Sequence, residues 1–441
     1  MSGIYHLKCG VGREDITPPL GTILYGYAPG RPAKAVGDAL TVTAVMLSSD
    51  TGEALMLTCT LCAIRADYCD AIREQAALVT GVAPEHITVS ATHTHSGPNT
   101  SIDSAWGKVD HAYVDTILIP AAVRAASQAA ASLRPARLGI GEADCDIGIN
   151  RRQLLENGAV ALGQNPWGPR DPRLTVLSFK GEDGRIIANL VHYCCHGTAS
   201  GQNPEITRDW SGVMTDMLEE ETGAITGFLS GVEGDQGPNL PNGRTTGTYP
   251  MALRLGARAG HDAVRAFRGI REWHDAPVRV LNGTVRIPFD PLPSRETAEA
   301  ELNRLGPLDR LFAEKDYQSV NEHLHWTDVL AEHDAGRPPK TEWTFEQSIV
   351  TVGPAAIVPT PFEAFVELGL RLRASSPFGF TLSLCNTNGS LAYLPAATDI
   401  ERGGYEIWQF TVALRTLYPL PRRADDYWVS ENLKLLRGSA Q

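Results

Sequence analysis

The amino-acid sequence predicts an α/β fold in which mixed β-sheets are layered with helices, making one large catalytic domain. Three observations carry this reading. Short apolar, β-prone runs alternate with stretches of helical period. No Pro/Ser-rich linker divides the 441 residues. Several apolar runs end in Gly- and His-containing loops, and strand-end loops form the usual binding crevice of such sheets.

In chain order, Leu40 to Ser48 and Ala54 to Cys62 read as strands, and Ala66 to Thr80 as a helix. Ile87 to Thr92 is the next strand. Asp110 to Leu133 is a long Ala-rich helix, ended at Arg134-Pro135 because proline disfavours helical backbone in the residue before it. Strands follow at Ala136 to Ile140, Leu174 to Lys180, Ile186 to Tyr193 and Ile225 to Ser230, with helices at Asp209 to Glu221 and Tyr249 to Arg268. Val278 to Phe289 reads as strand. Ser294 to His333, rich in Glu, Leu, Arg and Lys, predicts an insert of packed helices at about residues 290–340. The β pattern returns at Ser348 to Val358. A helix from Pro361 to Arg373, a strand at Phe380 to Cys385 and a polar tail to Gln441 complete the chain.

Composition narrows the function. The formal net charge is −12, from 39 basic and 51 acidic residues with no dense Lys/Arg block, so nucleic acid is not an expected partner. With 43% hydrophobic and 20% charged residues, the chain reads as a globular enzyme rather than a disordered protein. No segment approaches the ~20 apolar residues of a membrane span, so stable membrane insertion is not expected. Residues Met1 to Lys8 lack the basic start and apolar stretch of an export signal, which predicts a cytoplasmic protein. The eight cysteines are scattered, several in apolar strand patterns, and are expected as reduced thiols, with Cys59 and Cys62 packed in the core. A small molecule is the expected partner, and an oligomer is compatible with the sequence.

The sharpest chemical signal is His93-Thr94-His95, where a strand pattern gives way to Ser96-Gly97-Pro98. Residues i and i+2 of a strand share a face, so both imidazoles can reach one metal ion, with zinc the first candidate. Alone, the same tripeptide also fits a polar strand edge. His196 repeats the arrangement at the end of the Ile186 to Tyr193 run, before Gly197-Thr198, whereas His192 reads as a core histidine. Gly234-Asp235-Gln236-Gly237-Pro238-Asn239 follows a further apolar run and, alone, is an ordinary turn. Glu363 opens a predicted helix, where a carboxylate either completes a metal shell or favours the helix N-terminus. Tyr393 is by default a packed aromatic.

Together these segments resemble the catalytic domain of the neutral or alkaline non-lysosomal ceramidases. The matched set runs through Asp15-Ile16-Thr17-Pro18-Pro19-Leu20-Gly21, Tyr25-Gly26-Tyr27-Ala28, Ala91 to Pro98, Asn150-Arg151-Arg152, His196-Gly197-Thr198, Gly234 to Asn239, Pro361-Phe362-Glu363, and Tyr393 ahead of Gly403-Gly404-Tyr405-Glu406. The resemblance implies a zinc ion held by His93, His196, Glu363 and Tyr393. It also implies that His95 and Arg151 line the pocket and polarise the scissile carbonyl. Where those ceramidases carry GDVSPN, Gly237 stands for the serine implicated in their catalysis, and their C-terminal immunoglobulin-like domain is not expected here. The expected reaction is therefore hydrolysis of an N-acyl amide by zinc-bound hydroxide, with His95 or Asp235 moving the proton and Tyr393 as ligand or oxyanion donor. Hydrolysis of an ester, lactone or glycosidic bond, and a silent small-molecule-binding relative, are the alternatives.

Overall fold

Eight strands make the central sheet, in the order Ile225–Ser230, Ile186–Tyr193, Arg173–Gly181, Arg134–Asp144, Lys8–Asp15, Thr41–Ser49, Gly52–Cys59 and Ile87–Ala91. The computed structural model describes residues 4–27 and 29–438, so Met1 to Gly3, Ala28 and the last residues of the predicted polar tail, 439–441, lie outside the described residues. The first and last strand pairs are parallel and those between are antiparallel. Parallel pairing requires a crossover, and the helices Asp209–Thr222 and Ala66–Thr80 supply one at each end of the sheet.

The sheet curls until its two edges approach. Ser90 on one edge bridges Thr387, and Gly231, just past the other edge, bridges Leu384, so the segment continuing strand Phe380–Ser383 closes the gap. This closure brings the loop after Ile87–Ala91 beside the loop after Ile186–Tyr193. A second sheet, Val278–Pro288, Glu342–Val352, Ala355–Val358 and Phe380–Ser383, packs on one face through Leu47, Met56, Phe179, Val350 and Ile357. Helices cover the other face: Ala66–Thr80 and Ile119–Ala131 bury Ile72 and Ala122 against Leu57 and Val89, while Asp209–Thr222 and Tyr249–Arg268 bury Trp210 and Leu255 against Val191 and Phe228. The layered α/β expectation is borne out, and the insert consists of helices Arg295–Leu305, Leu308–Ala313 and Tyr317–Asp334.

Local differences from the sequence reading have physical causes. The Asp110 to Leu133 helix is interrupted by a π-helical stretch, Val114–Leu118, ending two residues before Pro120, which has no N–H to give the preceding turn. Ser348 to Val358 is two antiparallel strands, because Gly353 takes a left-handed φ of 54° and turns the chain. The Pro361 to Arg373 helix starts only at Val366. Glu363–Ala364 is instead a short strand paired in parallel with Tyr393–Leu394. The predicted polar tail contains helices, the longest being Ala424–Gly438, which buries Trp428 and Leu436. All eight cysteines are buried free thiols. No described helix is long and apolar enough to cross a membrane.

Candidate metal centre and active-site cavity

His93 leaves its strand in left-handed backbone, with φ of 64°, and is 2% exposed. That turn is held by the neighbouring loop, where Thr94 bridges Gly197 and His95 N–H donates to the Gly197 carbonyl at 3.1 Å. His93, His95 and His196 are thereby delivered to one place by the two parallel strand ends. Their ring centroids lie 4.4 Å (His93–His196), 4.9 Å (His93–His95) and 6.0 Å (His95–His196) apart. Glu363 reaches them from its short strand beside Tyr393. Gly234 allows this approach, since a Cβ there would fall 2.3 Å from the Glu363 carbonyl oxygen.

Each imidazole is oriented by a backbone carbonyl. Nδ1 of His93 meets the Cys62 carbonyl at 2.7 Å, Nδ1 of His95 the Gly26 carbonyl at 2.9 Å, and Nδ1 of His196 the Glu233 carbonyl at 2.8 Å. A carbonyl oxygen only accepts, so Nδ1 carries the proton in each ring and, in the neutral imidazole, Nε2 presents its lone pair. Gly26 is required here: with φ of 104°, any side chain on it would strike the His95 ring at 2.4 Å.

The Nε2 atoms converge on Glu363. Its Oε2 lies 3.4 Å from His93 Nε2 and 3.2 Å from His196 Nε2, and His95 Nε2 lies 3.4 Å from His93 Nε2. Two of these atoms, His196 Nε2 and Glu363 Oε2, are buried without a hydrogen-bond partner. A lone pair facing a carboxylate oxygen is repulsive unless a cation sits between them. Two ligands each at ~2.0–2.2 Å from one zinc in tetrahedral geometry are themselves ~3.3–3.6 Å apart, close to the separations seen. The donor set fits zinc.

The pocket's own charges set the protonation states of these groups. Burial disfavours a charged His93, yet the Glu363 carboxylate and Cys62 outweigh it and hold His93 well above the usual imidazole range. Burial works the other way on Glu363, which His93 and His196 nonetheless hold well below the usual carboxylate range. Burial and the His93 charge push His95 well down, and burial with Arg151 pushes His196 down to about 3. Glu363 is thus an anion and His95 and His196 are neutral donors, while His93, cationic beside Glu363, must give up its Nε2 proton before it can ligate a metal.

Tyr393 shares the face of Glu363 and is 4% exposed. Its hydroxyl accepts a hydrogen bond from Arg151 Nη2 at 2.7 Å, and Arg151 Nε donates to Glu406 at 2.9 Å. Burial raises the Tyr393 phenol well above its ordinary value, with Arg151 opposing. His93, His95, Arg151, Glu363 and Tyr393 all line one cavity of about 290 Å³. Asp235 does not belong with them. It is absent from the cavity wall, and its carboxylate accepts from Asn150 Nδ2 and from the Val366 backbone N–H, both at 2.8 Å. These bonds tie the strand of Arg151 to the helix after Glu363.

Residues 7–250 match the family described as "Neutral/alkaline non-lysosomal ceramidase, N-terminal". The chain belongs to this family. It is 28% identical over 236 residues to the neutral ceramidase of Pseudomonas aeruginosa, a match covering 48% of this chain and about a third, 34%, of that protein. The crystal structure of neutral ceramidase from Pseudomonas aeruginosa has the same fold, with a TM-score of 0.74 and 17% identity, across 98% of this chain and 74% of that one. A structure described as ceramidase complexed with C2 gives a TM-score of 0.74 at 16% identity, across 99% and 75% of the respective chains.

In this ceramidase-family chain the sequence reading left four contributors unassigned. Glu233 lies close enough to His93 and His196 to join a metal cluster, but its carboxylate already accepts from Ser230 Oγ at 3.1 Å and Asn386 Nδ2 at 3.2 Å. Glu233 and Glu363 both face His93 and His196. Cys62, expected in the core, instead lines the cavity beside His93. Glu406 bridges Arg151 and Arg152. A carboxylate directly before Gly234-Asp235 was the available signal for Glu233. Nothing local marks Cys62 or Asn386, which depend on how the sheet closes.

Proposed function

We propose that the protein is a zinc-dependent hydrolase of N-acyl amides, with zinc held by His93, His196, Glu363 and Tyr393. The observation that carries this is the 3.2 Å approach of two buried, hydrogen-bond-free acceptors, His196 Nε2 and Glu363 Oε2. Membership of the ceramidase family, whose members hydrolyse an amide, supports the bond type. Bound zinc supplies Lewis acidity, which brings the pKa of water toward ~7.

The chain's own residues do the rest. His95, with Nδ1–H fixed on the Gly26 carbonyl, turns an unprotonated Nε2 toward the site and accepts the proton from the attacking water. Arg151 offsets the charge of the Tyr393 oxygen and, at the cavity wall, favours negative charge developing on the scissile carbonyl. Glu406 and Arg152 hold Arg151 in that position. No serine is needed in this scheme, so Gly237 is compatible with it. We take the described residues as one catalytic unit, because the insert helix Tyr317–Asp334 also contributes Tyr317 to the cavity.

The test is elemental analysis of purified protein alongside hydrolysis of a panel of N-acyl amides, esters and glycosides. One zinc per chain, with chelator-sensitive amide cleavage restored by zinc, is expected. His196→Ala and Glu363→Gln should each lose most of the zinc. Full zinc occupancy in both variants would rule out the ligand set, and cleavage confined to esters or glycosides would rule out the amide reading.

A further inference from the structure

A second cavity, of about 200 Å³, lies against Tyr393 between the insert helices and the segment after Tyr393. Among the described residues Tyr393 alone lines both this space and the one beside His93, and none of His93, His95, His196 and Glu363 reaches the second. We propose that the second cavity is a separate binding site for a small, uncharged aromatic molecule that carries a hydroxyl group.

His325 supplies the polar anchor. Helix Tyr317–Asp334 places its imidazole in the cavity wall, where the residue is 2% exposed. Its Nδ1 is buried without a hydrogen-bond partner. The ring instead meets Trp326 and Trp408 edge to face, with centroids 4.9 Å and 5.8 Å away. Burial pushes its pKa down to about 4, so the imidazole is neutral and offers one N–H and one lone pair. A buried polar group left unpaired costs about 1–3 kcal/mol. A guest hydroxyl, which both donates and accepts, can satisfy either nitrogen. Two further buried atoms on this helix, Asn321 Nδ2 and Trp326 Nε1, also lack partners. Such atoms gather in one other place, the metal centre, at His196 and Glu363.

The rest of the wall selects an aromatic, neutral guest. Trp343, Trp408 and Tyr418 face the space with Pro395 and Leu420, and rings of this kind favour a planar partner through offset and edge contacts. Glu406 is the one charged side chain among the described lining residues. Its two oxygens are taken by Arg151 Nε at 2.9 Å and Arg152 Nη1 at 2.6 Å. A carboxylate on the guest would be desolvated with no cation on the wall to pair it, and an ammonium would find Glu406 already neutralised.

The experiment is calorimetric titration of the whole protein, metal-free and zinc-loaded, with phenol, toluene and 4-hydroxybenzoate. Toluene keeps the ring and shape but has no hydroxyl, and 4-hydroxybenzoate adds a charge. Phenol should occupy one site per chain about tenfold more tightly than either, with or without zinc. His325→Phe, which keeps a ring and removes both nitrogens, should weaken phenol about tenfold and leave toluene unmoved. Trp106→Ala, on the wall of the other cavity, should leave phenol binding unchanged. Toluene or 4-hydroxybenzoate binding as tightly as phenol overturns the proposal. So does phenol binding that falls with Trp106→Ala but not with His325→Phe, and so does the absence of saturable phenol binding, which would mark a water-filled space only. The comparison of the three probes on the unaltered protein decides the matter even where His325→Phe does not fold.

Discussion

A Cβ placed on Gly237 would fall 2.6 Å from Thr245 Cβ, a contact no rotamer change at the tip of a side chain relieves. Gly237→Ser should therefore destabilise the fold by ~1–3 kcal/mol, read as a lower denaturant midpoint, and should not raise amide hydrolysis. Tyr393 gives a spectroscopic prediction. Its phenol is held protonated by burial, so zinc addition to metal-free protein should produce a phenolate absorbance that is missing in Tyr393→Phe. Asp235 gives a pH prediction. Burial pushes its pKa up to about 7, above the ~3.9 of an unfolded chain. Between pH ~4 and ~7 the folded state binds the proton and the unfolded state does not, so this group makes stability fall as pH rises. Asp235→Asn should flatten that fall, by at most ~1.4 kcal/mol per pH unit, in midpoints measured across the window. The histidines were legible as residues because each follows an apolar strand and precedes a glycine. The motif around Asp235 shows a carboxylate in a turn, not that Asn150 and Val366 reach both of its oxygens.

At the scale of elements, strong periodicity was enough. Helices Ala66–Thr80 and Tyr249–Arg268 have the ends that their patterns set, and the two crossover units that deliver His93 and His196 follow from strand, helix, strand order. The hairpin Gly148–Leu154 and Val160–Asn165 carries Arg151 but was not visible, since Gly-Ile-Asn-Arg-Arg-Gln-Leu lacks apolar alternation and buries its two arginines against Glu406 instead. The helix Ala424–Gly438 hid behind its charged residues, yet Trp428 is fully buried and donates Nε1–H to Thr360 Oγ1 at 3.1 Å. Trp428→Ala should cost ~3–5 kcal/mol, seen as an earlier thermal transition. Because Thr360 lies just before Pro361-Phe362-Glu363, the same variant should also loosen zinc binding, measured by competition with a chromogenic chelator.

At the scale of the whole molecule, the site depends on closure of the sheet. Residues 93, 196, 363 and 393 sit on separate segments that meet only because the eight-stranded sheet curls and Leu384 to Thr387 spans its edges. This long-range register is what sequence periodicity cannot express, and it explains why the ligands were recognisable by motif before any geometry joined them. A metal that binds only the closed form must stabilise it, by ~2.7 kcal/mol at a hundredfold excess over Kd. Zinc should therefore raise the melting temperature of the wild type and leave Glu363→Gln nearly unmoved. The most direct measurement is anomalous diffraction at the zinc edge from crystals of the zinc-loaded protein. The account predicts one strong peak ~2.0–2.2 Å from His93 Nε2, His196 Nε2 and Glu363 Oε2. A peak beside Glu233 or Cys62 instead, or none at the three histidines, would contradict it.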